Sequence, residues 1–323
     1  MIKKIYANLI SNLEEKIVGE LSVYLSELRS EASNLYISLT NNKVDVDYSS
    51  HKAQIAYVIR YLPIYWEPTA RALQLIDDYQ TPHDVDGEHS YFLNTEKPNL
   101  LLDQSNISVG ILGAGPAPEA LGVLNSLRGS PYSIDKTYQE IEFDLYDEEP
   151  NWRFIRDIIF SDKTNFFLNH YLFNLKSLSQ DKKLGKRKYD LLILQNCLNE
   201  FIYKIDEKIF LENLDYMIDH LEVFGYLIIT DRYFDTDHGG ISSTMELIKT
   251  WIELREKSQD DSRLVSFKEK IHFKFEKTEI PKILSKNFFN NQMNRMIATQ
   301  NNWYTQIIIE KCPRSSYYEL DNE

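Results

Sequence analysis

The fold is decided by the stretch Ile107-Ser-Val-Gly-Ile-Leu-Gly-Ala-Gly-Pro-Ala-Pro-Glu-Ala-Leu-Gly122. Its first half is an apolar run that predicts a buried strand, and Pro118 can start a helix. Gly113 and Gly115 lie between them, where glycine permits a tight turn and lets the backbone approach a ligand. The helix N-terminus favours a carboxylate or phosphate at this turn. The alternative is that Gly-x-Gly only makes a tight connection.

The chain after this stretch alternates short apolar strands with helix-length segments, a pattern typical of βαβ units. We predict strands at residues 107–112, 141–146, about 164–168, 191–194, 226–230, 272–275 and 303–310, and a helix at 243–255. The sequence therefore predicts an α/β fold with a doubly wound, mostly parallel seven-stranded sheet.

The chain before the stretch has a helical pattern instead. From Tyr6 to about Ile76, apolar residues recur at intervals of three and four, and Pro63 is expected to kink or end one helix. Residues 81–105 are polar and show no period, which indicates a linker or lid. We therefore predict an N-terminal helical region at 1–100, which caps the site or binds a partner, and a Rossmann-like domain at 101–323.

Composition limits the partners and the compartment. The 323 residues carry a formal net charge of -13, which repels nucleic acid and anionic membranes and leaves a small molecule or a protein as the easier partner. The two cysteines, Cys197 and Cys312, lack paired spacing, and the histidines lack metal-site spacing. No run approaches the ~18 apolar residues of a membrane span. We expect a cytoplasmic protein without a metal.

The glycine turn resembles the first motif of class I S-adenosylmethionine-dependent methyltransferases, and the resemblance extends over about residues 105–312. A dinucleotide site would have Gly or Ala where this chain has Pro118. The resemblance implies a Rossmann-like sheet that ends in an antiparallel hairpin, and S-adenosylmethionine as the cofactor. It implies that the turn residues bind this cofactor: Gly113, Ala114, Gly115 and Pro116.

One position departs from the family. Its members usually carry an acidic residue two positions before the first glycine, where this chain has Ile111. Glu119, one helical turn further on, is a candidate to replace that contact with the cofactor. Its alternative role is to complement the dipole of the helix that it starts.

The second predicted strand ends in acidic residues that suit a ribose. Asp147 follows the strand directly, about thirty residues after the turn, and a carboxylate there can accept hydrogen bonds from both ribose hydroxyls. Glu148 is the neighbouring candidate, and a solvated acidic loop is the alternative. Trp152 either packs on the adenine or belongs to the core.

Polar residues also follow the fourth predicted strand, in a loop that faces the ligand crevice of a doubly wound sheet. The candidates are Gln195, Asn196, Asn199 and Glu200. The resemblance places this loop beside the transferred methyl group, which makes Glu200 a conceivable general base, with Asn196 or Asn199 positioning the acceptor. Gln195 and Asn196 are also candidates for cofactor contacts. The alternative is that an asparagine only caps the next helix.

Other clusters have two interpretations each. The aromatic residues Tyr57, Tyr61, Tyr65 and Trp66 either roof a substrate pocket or pack in the core. Asp231 and Arg232 either contact substrate or form a surface ion pair. The basic run at 182–188 either touches a phosphate-bearing partner or is a solvated loop.

The leading hypothesis is a methyltransferase that acts on a small-molecule or protein acceptor. A methyltransferase-like protein that binds a cofactor or a partner without catalysis is the first alternative. An NAD-dependent oxidoreductase is the second alternative, and Pro118 weakens it.

Overall fold

Three helices precede the sheet in the computed structural model of the chain: α1 (Ile2–Lys16), α2 (Leu21–Asn41) and α3 (His51–Gln80). The structure describes residues 2–17, 19–41, 48–80, 101, 104, 106–129, 140–161, 166–174, 177–198, 206–232, 241–258, 261–273, 280–289 and 302–313. Within these ranges no helix is both long and apolar enough to cross a membrane.

Strands and helices alternate in the rest of the chain. The strands are β1 (Asn106–Leu112), β2 (Glu140–Asp147), β3 (Phe166–Leu172), β4 (Tyr189–Gln195), β5 (Leu221–Arg232), β6 (Ser262–Phe273) and β7 (Asn302–Lys311). The helices are α4 (Pro118–Gly129), α5 (Trp152–Phe160), α6 (Glu207–Asp219), α7 (Ile241–Lys257) and α8 (Lys282–Asn287).

The seven strands form one sheet in the order β3-β2-β1-β4-β5-β7-β6. β1 to β5 are parallel, and β7 pairs antiparallel with both β5 and β6. The predicted Rossmann-like fold with a final antiparallel hairpin is confirmed. The strand order reverses between β1 and β4, so the glycine turn after β1 lies at a switch point, where ligands bind in this architecture.

Two strand predictions were displaced. β3 covers Phe166–Leu172, later than predicted, because this edge strand carries Asn169 and His170 at its centre and has no continuous apolar run. β6 begins at Ser262, ten residues before the predicted start. It is also an edge strand, and charged residues interrupt its apolar positions, as antiparallel strands with one solvated face allow.

The helix α3 does not end at Pro63, so of the two expected outcomes, a kink or an end, the end is wrong. It continues through Pro63 and Pro68 to Gln80. An internal proline costs a helix about 3 kcal/mol, but α3 is buried around its prolines, including Ile59 and Leu62. Tertiary packing of this kind outweighs local propensity.

The N-terminal helices and the sheet share one apolar core, and α3 packs closely on α4. A Cβ on Gly122 would lie 2.5 Å from the backbone oxygen of Trp66 and 2.8 Å from Cβ of Thr69. The two helix backbones therefore touch, and α3 lies directly on the helix that follows the glycine turn. Residues 81–100, around the predicted domain boundary, lie outside the described residues.

Gly122→Ala should lower the free energy of unfolding by about 1–3 kcal/mol, because the added methyl overpacks the contact between α3 and α4. Urea denaturation measures the change. Asn125→Ala, at an exposed position of the same helix, is the control and should have a small effect. An unchanged urea midpoint for Gly122→Ala would show that the helices do not touch in this way.

Candidate functional site

The glycine turn has a compact backbone with three left-handed residues. The φ angles are +67° at Gly113, +47° at Gly115 and +59° at Ala117. The N–H of Ala117 donates to the carbonyl of Ala114 at 2.6 Å, which closes the turn immediately before α4 begins at Pro118. The left-handed conformation of Ala117 costs roughly 1–2 kcal/mol of conformational energy, so contacts with the surrounding residues must hold the turn in place.

Asp147 at the end of β2 is one of these contacts. Its carboxylate accepts hydrogen bonds from the N–H of Gly115 at 2.6 Å and from the N–H of Glu149 at 2.9 Å. Burial raises the pKa of Asp147, while these two N–H groups and the nearby Arg156 act in the opposite direction. Glu148 is exposed to solvent. Of the two predicted acidic residues, only Asp147 contacts the glycine turn.

Arg156 on α5 holds the other side of the turn, and sequence reasoning missed it. Its Nε donates to the carbonyl oxygen of Gly115 at 2.6 Å, and its Nη1 donates to Nδ1 of His170 at 2.8 Å. Burial lowers the pKa of Arg156 to about 10 and also lowers the pKa of His170. The available signal was the four-residue spacing from Trp152, which puts both side chains on one helix face.

Glu119 in the first turn of α4 is buried beside these groups. It is 3% exposed, and its Oε2 has no hydrogen-bond partner among the described residues. Burial raises the pKa of Glu119 to about 8, the nearby Asp147 raises it further, and Arg156 opposes the shift. Ile111, at the position where the family usually has an acidic residue, is a buried apolar residue of β1. Glu119 instead places an acidic side chain at the turn.

Trp152 connects the turn to the N-terminal region. It is 2% exposed, and its ring centroid lies 5.4 Å from that of Tyr48 and 5.7 Å from that of Tyr57. A Cβ on Gly115 would lie 3.9 Å from the indole. The indole therefore packs between the turn and the N-terminal aromatic residues.

Gln195 and Asn196 follow β4 but have different surroundings. Nε2 of Gln195 donates to the carbonyl of Tyr65 at 2.6 Å, and Oγ1 of Thr69 donates to its Oε1 at 3.2 Å. This amide therefore joins β4 to α3. Asn196 is left-handed, with φ +56°, and its Oδ1 is buried without a partner among the described residues.

The other two predicted residues of this loop, Asn199 and Glu200, lie outside the described residues. Asp231 at the end of β5 supports the part of the loop that is described. Its carboxylate accepts from the N–H of Leu198 at 2.9 Å and from the N–H of Arg232 at 2.7 Å. Burial raises the pKa of Asp231 to about 6.

The interpretation of Asp231 and Arg232 as a surface ion pair was wrong, because the Asp231 carboxylate is in the interior, bound to backbone N–H groups. The Arg232 guanidinium donates to the hydroxyl of Tyr65 and lies 5.3 Å from the ring centroids of Tyr61 and Tyr65.

Tyr57, Tyr61 and Tyr65 form a row on α3. The ring centroids of Tyr57 and Tyr61 are 5.0 Å apart, and those of Tyr61 and Tyr65 are 5.4 Å apart. Among the described residues there is no cluster that could hold a metal ion.

The raised pKa of Glu119 predicts the direction in which the free energy of unfolding changes with pH. The native state keeps a proton that the unfolded state loses above pH 4.5, so the free energy of unfolding should fall as the pH rises from about 4.5 to about 8. Glu119→Gln keeps the neutral form and should flatten this decrease. Well above pH 8 the variant should be more stable than the parent by on the order of 5 kcal/mol.

Urea denaturation at a series of pH values measures this difference. Glu148→Gln, at an exposed position, is the control and should follow the parent. Asp147 and Asp231 also have raised pKa values and remain in the variant, so a weaker slope of the same sign should persist. Parallel curves for Glu119→Gln and the parent would contradict the burial of this carboxyl.

Several solved structures resemble the chain. One is the plantazolicin methyltransferase BpumL in complex with a triazolic desmethylPZN analog and SAH (15% identity; 91% of this chain and 100% of that chain covered; TM-score 0.44). Another is an rRNA methylase from Streptococcus thermophilus (14% identity; 65% of this chain and 89% of that chain covered; TM-score 0.34). A third is the N-methyltransferase NodS from Bradyrhizobium japonicum (11% identity; 64% of this chain and 86% of that chain covered; TM-score 0.35). No family model and no curated protein matches the chain.

Proposed function

We propose that the chain is an S-adenosylmethionine-dependent methyltransferase that acts on a small-molecule or protein acceptor. The observation that carries the proposal is the bond between the Asp147 carboxylate and the N–H of Gly115 at the switch point of the sheet. It brings the carboxylate after β2 against the glycine turn after β1. A nucleoside ligand held by its ribose hydroxyls needs a carboxylate at such a turn.

The charges at the turn favour this cofactor over a dinucleotide. Asp147 and Glu119 both lie at the turn, and a pyrophosphate there would be repelled by Asp147 and would hinder ionisation of Glu119. Arg156, the nearby cation, already donates to Gly115 and His170. S-adenosylmethionine carries no phosphate, and its sulfonium and ammonium groups are positive. Such a ligand lowers the cost of ionising Glu119.

Buried polar atoms at the turn fit the amino-acid part of this cofactor. Oε2 of Glu119, Nη2 of Arg156 and Oδ1 of Asn196 are buried without partners among the described residues. Buried polar atoms normally have a partner, and these offer both donors and acceptors. We assign Glu119 and Asn196 to the amino-acid end of the cofactor and Asp147 to its ribose. The backbone of the glycine turn would contact the bound cofactor directly.

The remaining assignments follow from the resemblance and the sheet edge. When bound, the cofactor supplies a methyl group on a sulfonium, and this chain's residues orient the nucleophile and accept its proton. We assign these tasks to Asn196, Asn199 and Glu200 after β4. Gln195 links this loop to α3 through its hydrogen bond to the Tyr65 carbonyl. Trp152, which lies against Gly115, is a candidate to pack on the adenine.

The acceptor and the compartment follow from charge and from the thiols. The net charge of -13 disfavours a nucleic-acid acceptor and leaves small molecules and proteins. Cys197 and Cys312 do not form a disulfide, which fits a reducing compartment. We therefore propose a cytoplasmic site of action.

S-adenosylhomocysteine should bind and raise the melting temperature, since a ligand of the native state stabilises it. Asp147→Ala should weaken this binding by roughly 1–3 kcal/mol, through the loss of charge-assisted hydrogen bonds to the ligand and of the contact that holds Gly115. Calorimetry of the purified chain measures both effects.

Glu148→Ala is the matched control, because Glu148 is exposed and adjacent, and its affinity should stay within about twofold of the parent. A parallel titration with NAD should give no heat of binding. If NAD binds and S-adenosylhomocysteine does not, the chain is a dinucleotide-binding protein and the proposal fails.

Asn196→Ala should weaken the binding of S-adenosylhomocysteine only a few-fold, the loss of one hydrogen bond at the amino-acid end, and should lower methyl transfer by about tenfold or more, because the same amide also orients the nucleophile in the transition state. Alanine also strains the left-handed backbone at 196. Asn196→Gly removes the amide without that strain, so equal rate losses in both variants would assign the effect to the amide.

The rate is measured by transfer of radiolabelled methyl groups to acceptors in a cell extract. Normal rates in both variants would show that Asn196 has no part in the reaction. Tight binding of S-adenosylhomocysteine together with no transfer to any acceptor would favour a methyltransferase-like binding protein instead.

A further inference from the structure

Arg232 is the last residue of β5, at the same edge of the sheet as the glycine turn. Its guanidinium lies 5.3 Å from the ring centroids of Tyr61 and Tyr65 and donates to the Tyr65 hydroxyl. Cation–π contacts of this kind stabilise a guanidinium that has left bulk water. Arg232 as a whole residue is partly exposed.

Among the described residues, Arg232 has no ion pair with a carboxylate. Its neighbour Asp231 uses both carboxylate oxygens to accept backbone N–H groups, those of Leu198 and of Arg232 itself. A charge that is largely removed from water is costly unless an opposite charge compensates it. The tyrosine rings, the hydroxyls of Tyr65 and Tyr304, and the neighbouring Asp231 carboxylate, whose two oxygens already accept N–H groups, compensate this charge only in part, which leaves a site for an anion.

The hydroxyl of Tyr61 is a second, independent observation at this place. Tyr61 is 1% exposed, and its hydroxyl has no hydrogen-bond partner among the described residues. A buried hydroxyl without a partner costs about 1–3 kcal/mol, so such a group in a native protein points to a functional role or to a bound water or ion as its partner. The guanidinium that lies over the same ring therefore has a hydrogen-bond donor beside it.

This cluster is connected to the proposed cofactor site by a row of aromatic rings. The centroids of Tyr65 and Tyr61 are 5.4 Å apart, those of Tyr61 and Tyr57 are 5.0 Å apart, and those of Tyr57 and Trp152 are 5.7 Å apart. Trp152 lies against Gly115. The two ends of the row suit two different ligands.

We propose that Arg232, together with the hydroxyl of Tyr61, binds a carboxylate of the methyl acceptor. The proposal rests on the proposed function, since it assigns the second ligand of that site. A single carboxylate is favoured over a phosphate, because one guanidinium next to the Asp231 carboxylate matches one negative charge better than two. Arg60 also lies over the Tyr61 ring but is only 2% exposed.

The test uses phenylacetate as the probe and phenylacetamide, its neutral isostere, as the comparison. Each is titrated calorimetrically into the full chain, with and without saturating S-adenosylhomocysteine. Phenylacetate should bind at least about tenfold more tightly than the amide. Arg232→Gln should abolish the preference, Arg232→Lys should keep part of it, and Arg71→Gln, an exposed arginine on α3, should keep all of it.

Tyr61→Phe provides a test that does not depend on the folding of the arginine variants. It removes a buried hydroxyl without a described partner, so the melting temperature should stay the same or rise. The affinity for phenylacetate should nevertheless fall about threefold or more, the loss of one hydrogen bond to a charged group.

Equal binding of acid and amide, no binding of either at millimolar concentration, or a preference that survives in Arg232→Gln would each overturn the proposal. Tighter binding of phenyl phosphate than of phenylacetate would overturn the choice of a carboxylate. A failure of the proposed function looks different, because S-adenosylhomocysteine then does not bind, whereas the titrations without it still report on Arg232.

Discussion

Gly115 is held through both of its backbone polar groups. Its N–H donates to Asp147 after β2, and its carbonyl accepts from Arg156 on α5. A left-handed glycine has little conformational preference of its own, so these two side chains fix the turn. The same two contacts bring a carboxylate and a guanidinium to the switch point of the sheet, and the pKa shifts of Glu119 and His170 depend partly on them.

The N-terminal helix α3 is part of the site as well as of the core. It touches α4 where only the missing side chain of Gly122 allows the approach, and the amide of Gln195 bonds to its backbone at Tyr65. These contacts fix the position of the tyrosine row above the ends of β4 and β5. A shift of α3 would therefore change the surroundings of Arg232 and of Trp152 together.

The sequence predicted the elements whose signal is local. The strands β1 and β4 are continuous apolar runs buried in the middle of the sheet, and the glycine turn has its own residue pattern. Edge strands lack such a signal, and β3 and β6 were accordingly displaced. The path of α3 through Pro63 depends on packing against residues far away in the chain, which no local rule contains.

The candidate site divides in the same way. The contact of Asp147 with the turn follows from strand ends that meet at one edge of a parallel sheet, so spacing alone could indicate it. The amide of Gln195 reaches Tyr65, 130 positions earlier, and Arg232 reaches the same residue across 167 positions. Pairings at that separation depend on how α3 packs on the sheet.

The groups at this edge have a common energetic property. Glu119 has a raised pKa, the buried Asp231 carboxylate accepts two backbone N–H groups, and Arg232 lies against tyrosine rings and hydroxyls. Each is less well compensated than a charge in bulk water, which costs stability in the ligand-free protein. A site prepared in this way recovers that cost when ligands of the right charge arrive, because the protein does not have to reorganise its own dipoles. The strain at Ala117 and Asn196 is consistent with this interpretation, since unfavourable backbone conformations persist where binding needs them.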